Sequence, residues 1–143
     1  MNKENILNKE IDLIQGVISR MANNSFLLKG WCISLIAVLL ALTKDTIVAI
    51  NLEYFNLVLV LPVIAFWYLD AYFLHKERCY RRLYNWTIAN RMTSDDFLYN
   101  LDYTRFKKDE KSIFAIMLSK TLLPLYGLVL LITLALSLHN IIS

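Results

Sequence analysis

Asp70 is the residue whose type and setting most suggest chemistry. It is a lone carboxylate in an apolar run, Tyr54 to Leu74, and from Trp67 to Tyr84 the chain passes without Gly or Pro through the basic stretch His75-Lys-Glu-Arg-Cys-Tyr-Arg-Arg82. A charged group in such a run needs a counterion or water, and these residues often mark ion or proton paths. Two lysines occupy matching positions, Lys29 in the apolar stretch 26–43 and Lys120 in the stretch 113–138. Counted inward from the basic side, Lys29, Asp70 and Lys120 lie about four, four and seven residues deep, ~6–10 Å at helical rise. They can therefore share one layer, with Asn23, Asn24 and Ser25 just below it. Two readings of that layer stay open. Asp70 pairs with one lysine as a structural lock while the other snorkels, or the groups line a pore in an oligomer.

Nothing comparable points to catalysis. The two histidines are far apart, and no Gly-rich phosphate loop, Ser-His-Asp set or metal-ligand spacing occurs. Neither His75 nor His139 has an arginine five positions before it, which removes the Arg-x4-His pattern of HEPN-type ribonucleases. Cys32 and Cys79 fall at different depths, so neither a disulfide nor a thiolate metal site is implied. The expectation is a protein that is not an enzyme, with no cofactor, no metal and no catalytic residue. Glu77 and Arg81 at i, i+4 read as an ordinary helix salt bridge.

The elements that would position these groups are helices in a membrane. Of 143 residues 57% are hydrophobic, 19% are charged and only three are Gly, a balance foreign to soluble domains and ordinary for helical membrane proteins. A span takes about 20 apolar residues, and three stretches approach that: 26–43, 54–74 and 113–138. We read one membrane domain over 1–143. It comprises a cytoplasmic amphipathic helix (1–25), a first span (26–43), a second (54–74), a cytoplasmic helix and loop (75–112) and a third span (113–138). The long patterned segment before the first span is not a signal-peptide preface.

Basic residues set the orientation. Lys3, Lys9, Arg20 and Lys29 flank the first span, ten Lys or Arg between Lys76 and Lys120 flank the next two, and Lys44 alone falls on the other side. That bias places the N-terminus and the 75–112 loop in the cytoplasm, with the 44–53 loop and the C-terminal tail outside.

Leu7, Ile11, Ile14, Ile18 and Met21 recur at helical spacing and form one apolar face. Since no Pro interrupts Asn5 to Thr43, this helix and the first span can form one rod of roughly 55–60 Å. The second span, extended through Trp86, makes an antiparallel companion that would bury the face against Leu83 and Trp86. In register, the face would continue through Leu28, Cys32, Leu35 and Leu39. A second stripe, Gly30, Ser34, Ala37 and Ala41, lies about 200° away around the helix. Small residues at this spacing allow close helix approach in lipid, so this stripe is the candidate oligomer contact.

Thr93-Ser-Asp-Asp96 offers a helix N-cap, followed by a short helix and loop at the membrane surface over Phe97 to Lys111. Pro124 and Gly127 would kink the third span. Arg78, Arg81 and Arg82 alternate with Tyr80 and Tyr84. Such a pattern can bind nucleic acid, but the positive-inside bias already demands these charges, so contact with lipid or with a soluble partner is favoured.

Arg20-Met-Ala-Asn-Asn-Ser-Phe26, Lys29-Gly-Trp31, Phe66-Trp-Tyr-Leu-Asp-Ala-Tyr-Phe-Leu74 with Glu77-Arg78 and Leu83-Tyr84, then Ser119-Lys-Thr-Leu122 with Leu125-Tyr126, resemble small bacterial membrane proteins. The family is the RipA-like octameric membrane proteins and, more distantly, SLATT-type and CRISPR-associated pore effectors, and the likeness spans roughly 11–130. It implies an all-α integral membrane protein with three transmembrane helices, assembled as a ring-shaped homo-oligomer in the bacterial inner membrane. It also implies an effector that permeabilises the membrane in antiphage defence when a sensor or defence protein signals. The alternative is a non-conducting anchor or scaffold whose basic cytoplasmic layer docks a soluble partner.

Overall fold

The computed structural model describes residues 2–46 and 52–142, apart from the side chains at 43–46, 52–56, 137 and 139–142. Residues 47–51 of the expected 44–53 loop, and the Lys44 side chain, therefore lie outside the description. All regular structure among the described residues is helical. α1 runs Lys3–Thr46 and α2 runs Leu52–Asn90, 44 and 39 residues long, or about 66 and 58 Å. A 3-10 turn at Tyr103–Phe106, α3 at Ile113–Met117 and α4 at Leu123–Ile142 complete the chain. α2 is the hub, packing against α1, the 3-10 turn, α3 and α4.

α1 and α2 run antiparallel, as the pairs Glu10–Arg91, Gln15–Tyr84 and Lys29–Asp70 require. The α1 contact face consists of Glu10, Ile14, Val17, Met21, Ser25, Leu28, Cys32, Ile36 and Leu39, all buried or half-buried. Its steps repeat after eleven residues, giving about 3.67 residues per turn, close to that of a straight helix. The helices can thus stay in contact over their length with little supercoiling. This period also corrects three expected positions: the most buried line runs through Glu10, Val17 and Ile36 rather than Ile11, Ile18 and Leu35, with Ile11 and Ile18 half-buried and Leu35 38% exposed.

α1 and α2 are each long and apolar enough to cross a membrane, with only 17% and 22% of their most apolar windows buried. The core helix of a soluble protein would be mostly buried. Two long apolar helices with much of their apolar surface turned outward are compatible with a helical membrane protein.

The segment 113–138 is not one helix. Ser112 caps α3, its Oγ accepting from Ala115 N at 3.3 Å, and the chain then turns through Leu118–Leu122 before α4. Pro124 lacks an N–H and its ring would strike the carbonyl of Lys120 in a continuous helix. It sits instead in the first turn of α4, where a missing N–H is tolerated, so it separates two helices and does not kink one. Segment 97–111 likewise forms turns and the 3-10 element, not the expected α-helix, with Asp102 as N-cap.

Candidate functional site: a closed polar cluster around Asp70

Asp70 is fully buried where α1, α2 and α4 meet. Lys29 Nζ lies 2.6 Å from Oδ2, Tyr126 Oη donates to the same oxygen at 2.9 Å, and Ser25 Oγ donates to Oδ1. Lys29 also donates to Ser25 Oγ at 2.8 Å. Ser25 and Lys29 are one helical turn apart on α1, which is why both reach one carboxylate. The cluster has one positive and one negative charge, and each carboxylate oxygen accepts at least one bond. A buried ion requires this much satisfaction to persist. Tyr126 brings α4 into the cluster, and its ring stacks on Trp67 at 5.9 Å. Trp67 Nε1 donates to Met117 O at 3.0 Å, tying α3 to the same place.

Among the sequence-chosen layer residues, then, Lys29 and Asp70 come together and Lys120 does not join them. Lys120 lies exposed in the turn between α3 and α4 and forms no ion pair among the described residues, because the turn carries it away from the bundle. Asn23 is exposed, and Asn24 lines a shallow cleft of about 270 Å³ with Trp31 and Phe73. Gly30, Ser34, Ala37 and Ala41 are all exposed, opposite the α2 contact face. Ala37 also edges an apolar cleft of about 210 Å³ between α1 and α4. Arg78 and Arg82 pair with Glu110 at 3.7 and 3.0 Å, and Arg81 pairs with Glu77 at 2.8 Å. The band expected to meet lipid or a partner is thus tied first to its own subunit.

Ser25 and Tyr126 were not foreseen as partners of Asp70. For Ser25 the signal was present, since it continues the α1 face one turn beyond Met21. Nothing local announces Tyr126.

A second buried charge pair was also missed. Arg91 and Glu10 are 1% and 3% exposed, joined by Nε to Oε2 and by Nη2 to Oε1, the latter at 2.9 Å. Arg91 further donates to the carbonyls of Ser94, Asp96 and Phe97, and Glu10 Oε1 accepts from Tyr99 N at 2.7 Å. These bonds fix a turn in which Phe97 and Tyr99 have φ of 56° and 54°. Such values are outliers for bulky residues. Beside this turn the Arg105 guanidinium stacks over Phe97 at 3.9 Å and Trp86 at 4.7 Å. The sequence clue was a carboxylate on an otherwise apolar face, one turn before Ile14.

His75 and Cys79 form a third buried contact. His75 Nδ1 is 3.0 Å from Lys111 O, so Nδ1 carries the proton and Nε2 faces Cys79 Sγ at 3.7 Å as the acceptor. Burial pushes the Cys79 thiol up, with Glu110 adding to the effect. It is a protonated, packed thiol rather than a nucleophile. Among the described residues no group of His, Cys, Asp and Glu is placed to hold a metal ion.

Comparison with known proteins adds no relative: no family model, curated protein or solved structure matches this chain.

Proposed function

We propose that the chain is a multi-pass protein of the bacterial inner membrane that works as a homo-oligomer, its N-terminus and 75–112 layer in the cytoplasm. The observation that carries this reading is a division of labour around α1. Lys29 and Asp70, from the first two apolar segments, close on each other inside a single chain, while the stripe Gly30, Ser34, Ala37, Ala41 faces outward from the opposite side. Small residues on an outward face in lipid favour contact with a neighbouring helix. In this assembly Asp70 is the lock of each subunit, and a ring of subunits acts as an effector that opens or disrupts the membrane in antiphage defence. A ring also supplies what three helices lack, enough wall to enclose a water path.

A second reading is favoured by the closure of Asp70 itself. With its oxygens engaged by Ser25, Lys29 and Tyr126, the cluster offers no free carboxylate oxygen to line a hole. The protein would then be a non-conducting anchor that holds a rigid helical hairpin in the cytoplasm for a soluble partner. Native mass spectrometry in detergent and ion flux through reconstituted vesicles separate the readings. Several copies with flux support the effector, several copies without flux support the anchor, and a strict monomer overturns the homo-oligomer.

A further inference from the structure

Arg20, Asn24, Leu27 and Trp31 follow one another on α1 at steps of four, three and four, and Phe73, Lys76 and Tyr80 on α2 at steps of three and four, so each set lies along one helical face. The apolar members of the two faces meet: Leu27, Leu28, Trp31 and Phe73, with Asn24, line a cleft of about 270 Å³. The basic and phenolic members continue the same faces away from that cleft. Lys76 Nζ lies 4.5 Å from the centre of the Tyr72 ring and 5.8 Å from that of Tyr103, and Tyr103 packs on Tyr80 at 5.0 Å. Burial pushes the Tyr80 hydroxyl up, with Tyr103 and Asp102 adding to it, while the charges of Lys76 and Arg20 pull it down, so both cations lie within electrostatic reach of one phenol.

These two cations are uncommitted. The band Arg78, Arg81, Arg82 is paired with Glu110 and Glu77, whereas Arg20 and Lys76 pair with no carboxylate among the described residues. Asp102 accepts from Thr104 N and Oγ1 at 2.9 and 2.8 Å and is offset by Arg105. Depth selects the occupant. With the apolar segments beginning at Phe26 and ending at Leu74, Trp31 and Phe73 lie inside them, Lys76 lies two residues beyond and Arg20 six, ~3 and ~9 Å at helical rise. That range covers the headgroup layer, about 5–8 Å thick on each side of a bilayer, and an arginine stem reaches into the layer from its outer edge. A free phosphate would leave the apolar cleft unused, and a zwitterionic headgroup would bring its own ammonium against the second cation.

The geometry points to a lipid site on this flank of the hairpin: an anionic phospholipid shares its phosphate between Lys76 and Arg20 and lays one acyl chain in the cleft against Leu27, Trp31 and Phe73. Tyr72 and Tyr103 fix the Lys76 ammonium at the mouth of the cleft, and the two positive charges favour an anionic headgroup. The site deepens the membrane reading and rests on it for the depth of these residues.

The test places the full chain in phosphatidylcholine nanodiscs doped to one mole fraction with either phosphatidylglycerol or phosphatidylcholine carrying brominated acyl chains. Trp31, 68% exposed on the cleft, is read as the emission lost in Trp31→Phe. Brominated phosphatidylglycerol is expected to quench it at least about twice as strongly as brominated phosphatidylcholine, and in titrations Arg20→Gln and Lys76→Gln are each expected to weaken the apparent affinity about fivefold. Lys108→Gln removes the same charge from an exposed position outside the cluster and is expected to leave the preference unchanged. Arg20 is exposed and Lys76 half-buried, so these variants keep the fold. Equal quenching by the two lipids, or a preference that falls as far in Lys108→Gln as in the other variants, overturns the proposal while the membrane reading stands. A chain that does not insert into the nanodiscs overturns both, and neither flux nor subunit number enters the measurement.

Discussion

Lys29 and Asp70 form one ion pair but have unequal means of escape. The Lys29 side chain is 23% exposed and the Asp70 side chain not at all, and a lysine stem can swing its ammonium toward water as a short aspartate cannot. Lys29→Met would strand a buried carboxylate on two hydroxyl donors, at about 3–5 kcal/mol. Asp70→Asn leaves a lysine free to reorient and an amide that still accepts from Tyr126, at about 1–3 kcal/mol. The double variant Lys29→Met, Asp70→Asn should cost less than the sum of the two. Thermal unfolding of the detergent-solubilised protein gives the cycle, and equal single costs or strict additivity would contradict the asymmetry. Glu110 allows a separate test by pH. Burial alone would raise its carboxyl, but the hydrogen bond from Arg82, the backbone N–H of Lys111 and the charges of Arg82 and Arg78 outweigh burial and hold it below the ordinary carboxylate range. A depressed folded value means stability that is present above the unfolded pKa, about 4.3, and lost as pH falls through the folded value. The wild type should therefore lose its advantage over Glu110→Gln below about pH 4. A melting-temperature gap that stays constant through that acid range would refute it.

At the scale of elements, the loop after α2 depends on a guanidinium rather than on its own sequence. Each positive φ at Phe97 and Tyr99 costs about 1–2 kcal/mol, which the planar fork of Arg91 offsets by engaging two Glu10 oxygens and three carbonyls together. Arg91→Lys keeps the charge and loses the fork. Chymotrypsin should then cut after Phe97, Leu98 or Tyr99 at least about tenfold faster, with cleavage tracking the opened population. Unchanged cleavage in native detergent conditions would show that the loop holds without Arg91. The same contact explains what the sequence left unread. The lengths and antiparallel pairing of α1 and α2 were legible because an apolar face repeats at helical spacing with no Pro from Asn5 to Thr43. The helix expected after Thr93-Ser-Asp-Asp96 does not form, because Glu10 and Arg91, 81 positions apart, occupy the loop's backbone groups. Local capping chemistry holds no record of a partner that distant. Lys120 fails for a related reason, since depth counted along one continuous helix does not survive the turn that Pro124 enforces between α3 and α4. The Lys29–Asp70 half of that layer was legible because both residues lie on unbroken helices.

At the scale of the molecule, the question is which face of α1 a neighbouring subunit would take. One face is occupied by α2 from Glu10 to Ile36, and the opposite face presents Gly30, Ser34, Ala37 and Ala41. A Cβ added at Gly30 would meet nothing within 4 Å. A side chain there meets no clash at its Cβ in the isolated subunit, and Gly30→Leu should keep its stability or raise it by up to about 1 kcal/mol, since glycine is a poor residue inside a helix. In an assembly built on this stripe the same leucine would hold the neighbouring backbones apart, where small residues allow close approach. Native mass spectrometry should then show the population shifting to fewer copies in Gly30→Leu while the melting temperature of the subunit is retained. Ser34→Cys supplies the converse, a new thiol on the outward face that should give a covalent dimer under mild oxidation, whereas buried Cys32 and Cys79 should not. An unchanged copy number in Gly30→Leu together with no Ser34→Cys dimer would remove the stripe as the contact. That result would direct the search to the exposed face of α4, where Leu128, Leu131 and Ile132 are 59%, 65% and 47% exposed. A ring of subunits joined through α4 would leave the α1 stripe facing lipid or the lumen, so labelling of Ser34→Cys by a water-soluble thiol reagent reports which of the two it faces.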